Sequence, residues 1–122
     1  MNTWLAVFIG GGAGSVVRFA ISQLFKRLEV DGTFPWATLV TNVLATGILA
    51  WLVMRFEVHL PEKEQWRALL AVGFCGGFST LSTFSYENFQ LLREGLLLYA
   101  AANIVVSVAA GILLFYLFAR TA

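Results

Sequence analysis

The sequence predicts an all-α integral membrane protein with four transmembrane helices per subunit and a broken third helix, paired as an antiparallel, dual-topology homodimer. Three observations predict it. The 122-residue chain is 59% hydrophobic and only 12% charged, where soluble domains carry roughly 25% charged residues. Its apolar residues fall into four long blocks, each close to the ~20 residues that a membrane span requires. The bases outside those blocks scarcely favour one side, with Arg55, Lys63, Arg67 and Arg120 set against Lys26, Arg27 and Arg93. Because the Lys/Arg bias sets orientation, such a chain inserts both ways, and copies of opposite orientation can pair about a two-fold axis in the membrane plane.

Composition also excludes function classes. A formal charge of +1 with dispersed bases argues against a nucleic-acid partner, leaving the lipid bilayer as the first partner. The lone cysteine, Cys75, has neither a disulfide mate nor a His or Cys at metal-ligand spacing, and reads as a packing residue. No Ser/His or paired-Asp constellation suggests an enzyme. The whole chain, residues 1–122, forms a single transmembrane domain.

The first helix is expected over 4–25. Its amino terminus lacks the basic region of a secretory signal and the apolar run is longer than a signal core, so it is retained as a span. Gly10, Gly14, Arg18 and Ser22 recur every fourth residue, which puts small and polar groups on one ridge facing protein. The glycine run does not complete a nucleotide-binding loop, since Ser15 takes the last glycine position and no Lys-Ser/Thr follows. Arg18 has two readings: a structural anchor that snorkels, or a charge in a wet vestibule that attracts anions.

Residues 26–33 form a charged connection, and Pro35 stands where a second helix, 36–54, can begin. Thr38, Asn42 and Thr46 are spaced by four, stacking an amide between two hydroxyls. Asn42 serves either an interhelical hydrogen bond or a permeating anion. The loop 55–67 is polar, and its His59 reads as a surface residue.

A third segment over 66–93 is too long for one straight span, and its halves differ. Residues 66–75 are apolar, whereas Ser79, Thr80, Ser82, Thr83, Ser85, Glu87 and Asn88 follow within ten positions. A break near 76–79, at Gly76-Gly77, reconciles length with composition. Non-helical backbone at membrane depth survives only against protein or water, and its freed carbonyls invite a cation. The fourth helix, 96–118, carries Tyr99, Asn103, Ser107 and Gly111 along one ridge.

Gly10 to Gly14 followed by Arg18, the run Thr38 to Asn42, and above all the string Gly73 to Ser85 resemble the Fluc family of small fluoride channels, over essentially the whole chain. The resemblance implies a dual-topology homodimer in the bacterial inner membrane that passively exports fluoride and confers fluoride resistance. It implies a structural sodium ion on the two-fold axis, held by the backbone carbonyls of Gly76 and Ser79 from each subunit. It implies two pores lined by Asn42 and by a pair of phenylalanines, whose ring edges carry the positive part of the aromatic quadrupole. The polar track would continue through Ser82, Thr83 and Glu87 with Thr38, and Arg18, Asn103 and Ser107 complete the expected pathway. The chain departs from the pattern twice: Leu81 stands in place of the first phenylalanine, with Phe84 as the second, and Asn103 stands where some relatives have tyrosine. The alternative is a small multidrug-resistance transporter, but that chemistry needs an acid in the first helix, where this chain has Arg18. A non-transporting scaffold would leave the hydroxyl series of the third segment without a purpose.

Overall fold

A computed structural model describes residues 2–28, 34–79 and 81–120. The expected connection over 26–33 lies outside them from 29 onward, as does Thr80. Every regular element among the described residues is helical. Helix α1, Thr3–Arg27, starts where Asn2 caps it, its Oδ1 accepting from Trp4 N at 2.7 Å, and ends on Lys26 and Arg27, cations that suit the negative end of the helix dipole. Helix α2, Trp36–Met54, has the expected bounds. Its start is tied by Phe34, whose ring lies 4.7 Å from Trp36 and 6.1 Å edge-on from Tyr99.

The connection after α2 is pinned by aromatic packing. Phe56 stacks on Trp51 at 5.7 Å and meets Trp66 edge-on at 6.2 Å. The Lys63 ammonium sits 4.2 Å from the Phe56 ring centroid and donates to the Phe56 carbonyl. Val58 is buried with Leu52 and Cys75, which confirms Cys75 as a packing residue, while His59 is exposed.

The third segment is not uniform. A 3₁₀ turn, Pro61–Lys63, leads into α3, Glu64–Trp66. A π-helical stretch follows over Arg67–Cys75, and then α4, Gly76–Phe78. Ser79 is extended, at φ −109 and ψ 152, and α5 runs over Leu81–Arg93. The expectation that Gly76 and Gly77 leave the helix is corrected: both are helical, and Ser79 is the described residue that departs. Gly77 uses its missing side chain for contact instead, because a Cβ there would overlap the Gly11 carbonyl.

Helix α5 ends in a Schellman turn, with Gly95 N bonded to Leu92 O at 3.1 Å and Leu96 N to Leu91 O at 2.8 Å. Gly95 has φ +80, a left-handed conformation that costs other residues roughly 1–2 kcal/mol. Gly95→Ala should therefore lower stability by about that amount, read as a small fall in the detergent melting temperature without loss of transport. Helix α6, Leu97–Arg120, completes four stretches long and apolar enough to cross a membrane. The protein is accordingly a multi-pass membrane protein. Its outer faces carry residues such as Phe8, 78% exposed, and Leu98, 83% exposed, which water would not tolerate in such density.

Close packing of glycine on backbone joins α1 to the third segment. Gly10 sits over the peptide units of Leu69 and Phe74, Gly14 over those of Phe74 and Phe78, and Gly73 against Val7 and Gly10. The glycine part of the α1 ridge thus faces protein. Helix α2 packs on α6, where Gly111 accommodates Thr46, and α5 also packs on α6. Arg18 and Ser22 on α1, Thr38, Asn42 and Thr46 on α2, and Ser107 on α6 are left to line two cavities.

Candidate functional site

Three helices each contribute residues one turn apart to the first cavity. Arg18 and Ser22 come from α1, Thr38 and Asn42 from α2, and Thr83 and Glu87 from α5, with Ala37 and Thr41 filling the α2 side. The i, i+4 spacing is the reason, since such residues lie one above the other on a helix face. The volume is about 100 Å³. The Thr38 side chain hydrogen-bonds to Glu87. Arg18 Nε and Glu87 Oε1 are buried with no hydrogen-bond partner in the protein. A buried donor and a buried acceptor are thus left open within the protein on one small cavity.

A second cavity, of about 220 Å³, is lined by Asn42, Thr46, Ser79, Leu81, Phe84, Ser107 and Val108. Asn42 is common to both cavities. One amide therefore joins an arginine-bearing cleft to a chamber with one aromatic wall. Helix α5 serves both because its faces differ: Thr83 and Glu87 fall on one, Leu81 and Phe84 on the next.

Of the residues expected on the pathway, Arg18, Thr38, Asn42, Thr83 and Glu87 meet at the first cavity, and Asn42, Leu81, Phe84 and Ser107 at the second. Leu81 stands at the rim, 75% exposed. Ser82 and Asn103 line neither. Ser82 precedes Thr83 by one residue, which turns it about 100° away on the helix. Asn103 is fully buried, and its Nδ2 donates to Asn88 Oδ1 at 3.0 Å. Val108 joins the lining without any sequence signal, Thr41 lies within the run Thr38 to Asn42 already singled out, and Ser22 and Thr46 extend the ridges already visible at Arg18 and Asn42.

The expected sodium donors can be weighed against this geometry. Helix α4 ends at Phe78, and a helix end leaves the carbonyls of its last turn without helical partners. Cys75 O is engaged by Ser79 N at 3.2 Å and by Ser79 Oγ at 3.3 Å. Gly76 is exposed, with nothing within 4 Å of where a side chain would be, so another chain or ion can approach its backbone. No group of three or more His, Cys, Asp or Glu suited to a metal occurs among the described residues, and neutral carbonyls suit a monovalent hard cation. The residues fit, provided that a second copy supplies further oxygens.

Comparison with known proteins identifies the family. Residues 5–118 match the model of the family described as "CrcB-like protein, Camphor Resistance (CrcB)". A Pyrococcus abyssi protein named fluoride-specific ion channel FluC is 44% identical over 117 residues, 96% of this chain and 93% of that protein. A protein of the same name from Pyrococcus furiosus is 45% identical, covering 91% of this chain and 88% of the relative. A third, from Serratia proteamaculans, is 38% identical with 93% and 88% covered. With the match running through all four apolar stretches and both cavities, this chain belongs to the CrcB-like family.

Proposed function

We infer that the protein is a passive, fluoride-selective channel that exports cytoplasmic fluoride and thereby confers fluoride resistance. The observation that carries the reading is the sharing of Asn42 by two cavities rich in hydrogen-bond donors; the names of the relatives supply the ion. A small anion entering the first cavity meets the Arg18 guanidinium and the hydroxyls of Ser22, Thr41 and Thr83. Asn42 then passes it toward Ser107 and the Phe84 ring. Each contact replaces part of the hydration shell, and none is a full cage. Conduction needs sites that favour entry but still release. An inside-negative potential drives an anion outward at about 2.3 kcal/mol per 100 mV, so neither ATP nor a coupling ion is required.

The assembly proposed is an antiparallel homodimer in the cytoplasmic (inner) membrane, its third span broken at Ser79. The support is the near balance of bases between the two sides and the exposed, unobstructed Gly76. Gly76 and Ser79 of each copy would hold a sodium ion through their carbonyls. When bound, that ion supplies a fixed positive charge at the dimer centre. If a second copy covers Gly76, Gly76→Ala will shift the detergent-solubilised protein toward monomer while leaving the protomer's helicity unchanged. An unchanged dimer population would count against this placement.

Leu81 is the sequence-specific variable. A leucine offers no ring edge, so Leu81→Phe should alter both fluoride rate and chloride exclusion; indistinguishable rates and exclusion would remove Leu81 from the pathway. The function itself is tested with proteoliposomes and a fluoride-selective electrode, with chloride and a cationic dye as controls. Fluoride release alone supports the channel, dye exchange without fluoride supports a drug transporter, and neither leaves a scaffold.

A further inference from the structure

Two buried amides stand behind the second cavity without lining it. Asn88 of α5 is 6% exposed and Asn103 of α6 is 0% exposed. Asn103 Nδ2 donates to Asn88 Oδ1 at 3.0 Å, and with the amide in that sense its oxygen is free to accept elsewhere. Its Oδ1 is thereby presented along α6, where Ser107 Oγ donates to it at 3.5 Å. Ser107 in turn lines the cavity shared by Asn42 and Phe84.

A hydroxyl has one proton and two lone pairs. While Asn103 holds the Ser107 proton, the cavity sees oxygen lone pairs, which repel an anion. An ion obtains a donor there only by drawing the proton away from Asn103 Oδ1. The bond is also long, since O–H···O bonds usually span 2.5–3.0 Å, so a strong acceptor wins the exchange. As the ion leaves, Asn103 takes the proton back, and Ser107 is not left with an unmade bond at that point.

The geometry points to Asn103, fixed by Asn88, as a positioning residue that keeps the grip of the second cavity on its ion weak. Every ion bound by Ser107 must displace Asn103, and this common cost shortens residence without choosing among anions. The role rests on the fluoride-channel reading, and goes beyond it by assigning the release step to a pair of side chains outside the pathway.

The test is single-channel current against potassium fluoride concentration in planar bilayers, comparing the parent with the Asn88→Leu/Asn103→Leu double variant. Replacing both partners removes the bond without orphaning either. Half-saturation should fall, by less than the roughly five-fold factor that one hydrogen bond of ordinary strength represents because this bond is long, and saturating current should fall with it. A merely structural role would lower current without lowering half-saturation. In a Ser107→Ala background the double variant should shift nothing further. Half-saturation that is unchanged or raised, or a shift that persists in Ser107→Ala, would overturn the assignment. If the double variant does not assemble, the unmodified protein answers: the ¹⁵N signal of the Asn103 side chain should move on adding potassium fluoride but not potassium gluconate, and a signal that moves with neither overturns it. A parent that carries no fluoride current would overturn the channel reading itself, and this role with it.

Discussion

Gly14→Ala is expected to abolish the assembled protein, whereas Gly12→Ala, two residues away, is expected to leave it intact. The difference lies in what an added methyl would meet. At Gly14 it would overlap the Phe74 carbonyl and lie 2.8 Å from Phe78 N, while at Gly12 there is nothing within 4 Å. Overpacking a core typically costs about 1–3 kcal/mol even when side chains can move aside. Here the obstacle is backbone that belongs to neighbouring helical peptide units, so α1 and the third segment must separate. Separation would also carry Arg18, one turn beyond Gly14, away from Thr38 and Glu87 across the first cavity. Gly10→Ala should behave as Gly14→Ala does, since Phe74 N lies 2.9 Å from its added carbon. Size-exclusion profiles in detergent would check all three variants. A monodisperse Gly14→Ala protein with normal transport would show that the glycine contacts do not set the helix separation.

Asn42→Leu is expected to cut fluoride efflux by about 10- to 100-fold, because a hydrogen bond to a charged group is worth about 1.5–3 kcal/mol and each 1.4 kcal/mol is tenfold. The residue lines both cavities, so an ion that passes from one to the other meets it. Asn42→Ser, which keeps a shorter donor, should lose less. Asn42→Asp should be at least as slow as leucine, since it adds a negative charge where the anion must pass. The order Asn, Ser, then Leu and Asp in initial efflux rate is the signature of a donor in the path. Equal rates in Asn42→Leu and the parent would return Asn42 to the role of an interhelical tie.

The four apolar blocks were legible because a membrane span is a long-range property of composition, and the second helix was bounded correctly by Pro35 and by the polarity beginning at Arg55. The π-helical turn geometry of Arg67–Cys75 was not. In a run apolar on every face, periods of 3.6 and about 4.4 residues leave the same pattern. Gly76 and Gly77 were misassigned for a related reason: glycine serves equally a helix break and a close helix crossing, and only the neighbouring Gly11 carbonyl decides between them. Spacing by fours did find cavity residues on the first two helices, since Arg18 with Ser22 and Thr38 with Asn42 line the first cavity, whereas Thr83 and Glu87 came from the family resemblance. Asn103 shows the limit of that rule. It shares a ridge with Ser107, yet its polarity is satisfied by Asn88, a partner fifteen positions away that no local pattern identifies.

The names of the relatives favour fluoride over the drug-transporter and scaffold readings, and leave one central claim, that the cavities meeting at Asn42 conduct fluoride. The reversal potential of the purified protein in a planar bilayer tests it most directly, with fluoride on one side and an equal concentration of chloride on the other. A fluoride-selective pathway predicts current in one direction only, with a reversal potential displaced far from zero toward that expected for fluoride alone. Reversal near 0 mV, or current carried equally by chloride, would contradict it.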